Sequence, residues 1–127
     1  MAWDLSGERP IYIQLVERIS RQIASGAYKP GDKFPSVREL ALEAAVNPNT
    51  MQRAMAALEA DGLLITSRTS GRTVTEDMTL IESVKKNIAV SEYNSFYNSM
   101  KELGYNDDEI LRFVKETKPE AKEGGRS

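Results

Sequence analysis

Two helix starts, at Ser36 and at Asn47, stand so close together that only short helices and a tight break fit between them. Ser36-Val37-Arg38-Glu39 fits a capping box, in which the Ser36 hydroxyl takes the Glu39 N–H and the Glu39 carboxylate returns to the Ser36 N–H. Asn47-Pro48 offers a side-chain acceptor, then a ring whose missing N–H costs nothing in a first helical turn. Ala45-Val46 is the break. Val37, Leu40 and Ala41 or Ala44 give the first helix its buried side; Met51, Ala54, Met55 and Leu58 give the second helix its own, and Gly62 stops it. Leu63–Thr66 and Arg72–Thr75 then read as strands around a turn containing Ser70-Gly71. A lone hairpin is marginal in water, so this one has to pack on the helices.

Upstream, Pro10 is placed as the first residue of a helix. Tyr12, Leu15, Val16, Ile19 and Ile23 follow at helical spacing, and Gly26 is positioned to end it in a left-handed conformation. Lys29-Pro30-Gly31-Asp32 suits a type II turn, with Phe34-Pro35 a short extended piece. Beyond Asp77, Ile81, Val84 and Ile88 suggest one helix, and Tyr93, Phe96, Tyr97, Met100 and Leu103 another. Gly104 breaks the pattern and Asn106 caps a last helix carrying Ile110, Leu111 and Val114. So short a segment does not bury this many large apolar groups against itself. The predicted fold is mainly α with a small β-hairpin wing. Residues 1–76 form a winged helix-turn-helix, 77–117 a short α-helical dimerisation region and 118–127 a mobile polar tail.

The 127 residues include no Cys and no His. Disulfides, thiol or imidazole catalysis and Cys/His zinc sites are thereby excluded, leaving a carboxylate-only enzyme as the remaining catalytic option. No two acids fall on an apolar cleft by spacing, so no catalytic residue, metal ligand or cofactor is assigned. Asp107, Asp108 and Glu109 are explained by the dipole of the helix they open, and lack the Gly-containing loop a calcium site needs. No apolar run approaches the ~20 residues of a membrane span, and the N-terminus lacks a signal-peptide core, so a cytoplasmic protein is expected.

A helix, a tight turn, a second helix and a hairpin, in that order, are the sequence form of a motif that sets side chains against DNA bases and phosphates. The net charge of −2 and pI of about 5.3 oppose binding by bulk charge. The excess acid, however, lies beyond residue 76, and Asn47–Ala57 contains no acid at all. Gly26…Pro30-Gly31, Pro35-Ser36…Arg38-Glu39-Leu40-Ala41, Val46, Thr50, Ala54, Leu58, Gly62 and Gly71…Val74 together resemble the winged-helix domain of the GntR family of bacterial transcription regulators. Asn47-Pro48-Asn49-Thr50 and the short helical C-terminus resemble its YtrA-like branch. The chain departs from that pattern at Ala45, where relatives usually have Gly, at Thr69 in place of a first wing glycine, and at Thr73 in place of an aromatic.

The resemblance implies that Arg38 contacts DNA, and Ser36, the cap beside it, is assigned to the same DNA-binding set; the bland alternative for Arg38 is a solvated Arg paired with Glu39 or Glu43. Asn47, Asn49 and Thr50 cluster where free helical N–H groups attract phosphate, and Asn also pairs with adenine. Asn47 doubles as a cap. Gln52 and Arg53 extend the same face. Arg68, Gly71 and Arg72 are assigned to the wing, reaching the neighbouring groove or backbone; a plain turn with two solvated arginines is nearly as good a reading. Ile81, Val84, Ile88, Tyr93, Phe96, Tyr97 and Met100 are assigned to dimerisation. The aromatics there, with Tyr105 and Phe113, suit core or interface better than an effector pocket, and no small-molecule effector is identified.

The reading is a sequence-specific, DNA-binding transcriptional regulator, a repressor by preference. It is expected to act as a homodimer on double-stranded DNA at a pseudo-palindromic operator. Its rival is a winged helix that binds protein instead.

Overall fold

The helix caps are where backbone and side-chain chemistry most directly set the architecture. The computed structural model describes residues 3–69 and 71–120. Helix α1 spans Ile11–Ser25 and ends on Gly26, whose φ of 87° is left-handed and whose N–H donates to the Ile23 carbonyl. Pro10, at ψ 133°, stands one position outside the helix instead of in its first turn. Helix α2 (Val37–Ala44) carries the complete capping box: the Ser36 hydroxyl accepts from Glu39 N–H at 3.1 Å, and Ser36 N–H donates to the Glu39 carboxylate at 2.9 Å. Helix α3 (Pro48–Ala60) begins on Asn47, whose side chain accepts from Asn49 N–H at 2.7 Å.

The wing is an antiparallel pair, β1 (Leu64–Ser67) and β2 (Gly71–Val74), in register from Leu64 against Val74 to Ser67 against Gly71. Both strands lie one residue from their expected bounds, and Ser70, expected in the turn, is outside the described residues. The wing does not rest on two strands alone. Phe34 N–H donates to the Arg72 carbonyl at 2.8 Å, Val74 N–H to the Asp32 carbonyl at 2.9 Å, and Lys33 bridges Thr73. The extended piece before α2 is therefore a third partner along β2, which anchors the hairpin to the helical body.

Two compact units, Met1–Ile88 and Ala89–Ser127, divide the chain. In the first, α1, α2 and α3 pack their apolar faces together through Leu15, Ile19, Leu40, Met51, Met55 and Leu58, all fully buried. Leu63, Leu64 and Val74 close the wing side. Residues ahead of α1 join in: Trp3 is 7% exposed, and its indole N–H donates to Glu43 at 3.1 Å. The buried Gln14 amide pairs with both the N–H and the carbonyl of Ser6 at 2.7 Å.

Helix α4 (Met78–Glu102) runs through the division between the units. Two helices were expected over this span. One forms because Ala89-Val90-Ser91-Glu92, between the two apolar clusters, holds neither Gly nor Pro to break it. In the second unit Gly104 takes φ 100° and Asn106 makes a capping box with Glu109 to open α5 (Asp107–Glu116). Met100 and Ile110 are buried there. The Tyr97 hydroxyl donates to the Asp107 carboxylate, which Lys101 also meets at 2.8 Å. Of the polar tail expected at 118–127, residues 121–127 lie outside the described residues.

Candidate nucleic-acid interface

The interface candidates fall on three pieces of the first unit: the head of α2, the head of α3 and the wing. At α3 the buried stripe of Met51, Ala54, Met55 and Leu58 turns the opposite residues outward. Asn47, Asn49, Gln52 and Arg53 are exposed and Thr50 is half-buried, so the rim of amides, hydroxyl and guanidinium is open to solvent. No acid stands in the first turn to oppose the positive end of the helix dipole, but its N–H groups are already used: Pro48 has none, Asn49 N–H donates to the Asn47 side chain and Thr50 N–H to the Asn47 carbonyl at 3.0 Å.

Arg38, the second residue of α2, is exposed. The two acids that could neutralise it are engaged elsewhere. Glu39 closes the capping box, and the Ser36 N–H and hydroxyl hold its carboxyl below the usual carboxylate range. Glu43 accepts from Trp3. Among the described residues Arg38 therefore keeps an unpaired guanidinium fork, suited to a phosphate or a guanine edge. Ser36 is exposed, with its hydroxyl committed to the cap.

Arg53 is less free. Its guanidinium lies over the Tyr12 ring, 3.8 Å from the centroid. Tyr12, on the apolar stripe of α1, is half-buried, and its ring supports the head of α3. Period alone places Tyr12 on an inward face, and nothing in the spacing marks which α3 side chain it meets.

In the wing, Arg68 and Gly71 are exposed, Gly71 with φ 73° and open space where a Cβ would stand. Arg72 behaves differently: its Nη2 meets Glu59 of α3 at 3.0 Å, its side chain is only 20% exposed, and its Nε is buried without a partner among the described residues. Ser36, Arg72 and Gly71 line one open groove between the wing and the start of α2.

The residues assigned to dimerisation are not all of one kind. Ile81 is 4% exposed within the core of the first unit, with Val84 half-buried against it. Ile88 and Tyr97 are half-buried and Met100 is buried, while Tyr93 and Phe96 are exposed. No group of three or more acids that could hold a metal occurs among the described residues, and no described helix is long and apolar enough to cross a membrane.

The gntR-family model of bacterial regulatory proteins matches residues 11–74, the span from α1 through β2. The chain belongs to this family. Over nearly its whole length it is also similar to the HTH-type transcriptional repressor YtrA of Bacillus subtilis, at 31% identity over 126 residues, covering 98% of this chain and 96% of that one. Among solved structures, a GntR family transcriptional regulator from Listeria monocytogenes matches with TM-score 0.80 and 40% identity, over 90% of this chain and 100% of that one. AraR(DBD) in complex with operator ORX1 matches with TM-score 0.51 and 32% identity, over 59% of this chain and 92% of that one. Family membership makes the protein a transcriptional regulator with a DNA-binding domain, in agreement with the resemblance carried by its motifs.

Proposed function

We propose that this GntR-family chain represses transcription as a homodimer, each winged helix (residues 1–76) setting α3 into a major groove of a pseudo-palindromic operator. The observation that carries the reading is the exposed, acid-free head of α3, flanked by the unpaired Arg38. Asn49, Gln52 and Arg38 serve base edges and adjacent phosphates, the Asn47 amide and Thr50 hydroxyl meet phosphate at the positive end of the α3 dipole, and Arg53, Arg68 and Gly71 follow the backbone. The repressor named among the similar proteins and the operator complex of AraR(DBD) support the direction of the inference. DNA as partner places the protein in the cytoplasm.

The helical region, residues 77–117, supplies the second copy. The second unit exposes Tyr93 at 60%, Leu103 at 75%, Leu111 at 57% and Phe96 at 37%, an apolar load that a free monomer of this size does not carry without a partner. Tyr93, Phe96, Tyr97 and Ile88 contribute to that interface, Met100 is buried within its own unit, and Ile81 and Val84 anchor α4 to its own winged helix. Half-sites about one turn apart, ~34–36 Å, or a multiple of it, follow from two-fold symmetry.

The test is capture and sequencing of genomic fragments by the full chain, followed by titration of the recovered duplex at several salt concentrations and sedimentation of the free protein. A palindrome bound by two chains, with log affinity falling by ~0.9 per phosphate neutralised against log salt, is expected. A dimer that retains no duplex at low salt would transfer the winged helix to protein recognition.

A further inference from the structure

We infer that Arg72 is a positioning residue: it pins the wing to α3 through Glu59 and does not itself contact DNA. The inference rests on the DNA-binding reading above and assigns this arginine a different task within it. Position alone would make Arg72 a wing contact, since it follows the turn glycine on β2. Three observations point the other way. Its guanidinium charge is already met by Glu59, which is itself only 27% exposed and sits in the last turn of α3. Its Nε is fully buried, so no phosphate reaches that edge without the strand lifting away. Its carbonyl meanwhile accepts from Phe34 N–H, so the same residue is held from the front of α2 as well.

The consequence is geometric. Arg72 lies where three pieces of the interface meet: the segment entering α2, the end of α3, and the wing. An ion pair with both partners mostly removed from water holds its geometry better than an exposed one, because competing hydration is reduced. With Arg72 in place, the Glu59 charge is also met; without it, a bare carboxylate would be left at the end of α3 beside the wing. Arg68 is exposed on the same hairpin and, among the described residues, has no ion-pair partner.

A contact and a brace leave different signatures in the full-length protein. The probe is the tightest duplex recovered from genomic fragments by the wild-type chain. Arg72→Met and Glu59→Met each lower affinity about tenfold, while the slope of log affinity against log salt stays within ~0.3 of wild type. The charge-reversed pair, Arg72→Glu with Glu59→Arg, returns affinity to within about threefold. A direct phosphate contact predicts the opposite: a slope shallower by ~0.9 in Arg72→Met and no recovery in the reversed pair. Either result overturns the brace, provided the variants unfold at wild-type temperature. Hydrogen exchange on the free protein gives a readout that needs no DNA. Loss of the brace speeds exchange of the paired amides of β1, β2 and Phe34 relative to those of α1, and unchanged wing protection refutes the inference even if no duplex is bound.

Discussion

Ala45 offers the most direct check on the physics of the helix-turn-helix. It is the only non-glycine residue with positive φ among those described, at φ 61° and ψ 49°. It occupies the left-handed position after α2, with its N–H reaching the Leu42 carbonyl at 3.2 Å and Val46 N–H reaching Ala41 at 3.0 Å. In that conformation a Cβ crowds the following carbonyl, at roughly 1–2 kcal/mol. Glycine removes the clash but brings a more flexible unfolded chain, worth about 0.4–1 kcal/mol against it. The methyl is exposed, so little packing is lost with it. The difference favours Ala45→Gly by about 0.5–1 kcal/mol. With a slope near ~2 kcal/mol per molar urea, the unfolding midpoint should rise by roughly 0.3–0.5 M. Protein concentration has to be held constant, because self-association shifts apparent stability. Ala45→Val is the control: a β-branched side chain is worse in this region and should lower the midpoint by more than glycine raises it. A lower midpoint for the glycine variant, or an unaltered one for valine, would refute the assignment of strain to this turn.

Arg38→Ala is expected to cost ~1–3 kcal/mol of operator affinity with unchanged thermal unfolding, measured by duplex titration; an equal loss on random duplex would identify a phosphate contact instead of a base contact. Tyr12→Leu removes the ring under Arg53 and is expected to weaken duplex binding by about 0.5–1 kcal/mol, whereas Tyr12→Phe keeps the ring face and most of the affinity. If Tyr12→Leu has no effect in an Arg53→Ala background but does in wild type, the two act as a pair. In the second unit, the hydrogen bond to Asp107 pushes the Tyr97 hydroxyl up to about 12. Because that folded value lies above the unfolded one, the contribution is complete below pH ~10 and is lost as pH rises through about 12. Tyrosine absorbance should therefore show one late-ionising component that disappears in Asp107→Asn. Lys101 and Tyr97 in turn hold Asp107 below its ordinary value, so its contribution is present near neutrality and lost as pH falls through the acid range. Helicity followed by circular dichroism should drop on acidification in wild type and drop less in Asp107→Asn, in which the Glu109 cap is retained.

How much of this was legible in the sequence depended on whether the deciding interaction is local. The capping box at Ser36, the cap at Asn106 and the left-handed glycines at 26, 62 and 104 act within four or five residues, so their residue types announce them. That Glu109 closes a second box with Asn106, beyond its favourable place on the helix dipole, is a finding of the structure. The exposed rim of α3 was legible for the same reason: a stripe of period 3.6 that buries Met51 and Met55 necessarily turns Asn49 and Gln52 away. What period and caps do not carry is which side chain meets which across the fold. Glu59 and Arg72, thirteen residues apart, read as two solvated charges until the wing folds back on α3. Tyr12 and Arg53 are likewise unremarkable until α1 crosses the head of α3. Trp3 had no periodic neighbour to place it, yet it is buried against α2's Glu43. In each case the missing information is a non-local pairing, and in each case the pairing adjoins the surface assigned to DNA. The local code builds the three recognition pieces separately. Arg72–Glu59 ties the wing to α3, Arg53–Tyr12 ties α3 to α1 and Trp3–Glu43 ties the N-terminal segment to α2, so in the proposed function the placing of wing and α3 on one duplex would rest on contacts far apart in the sequence.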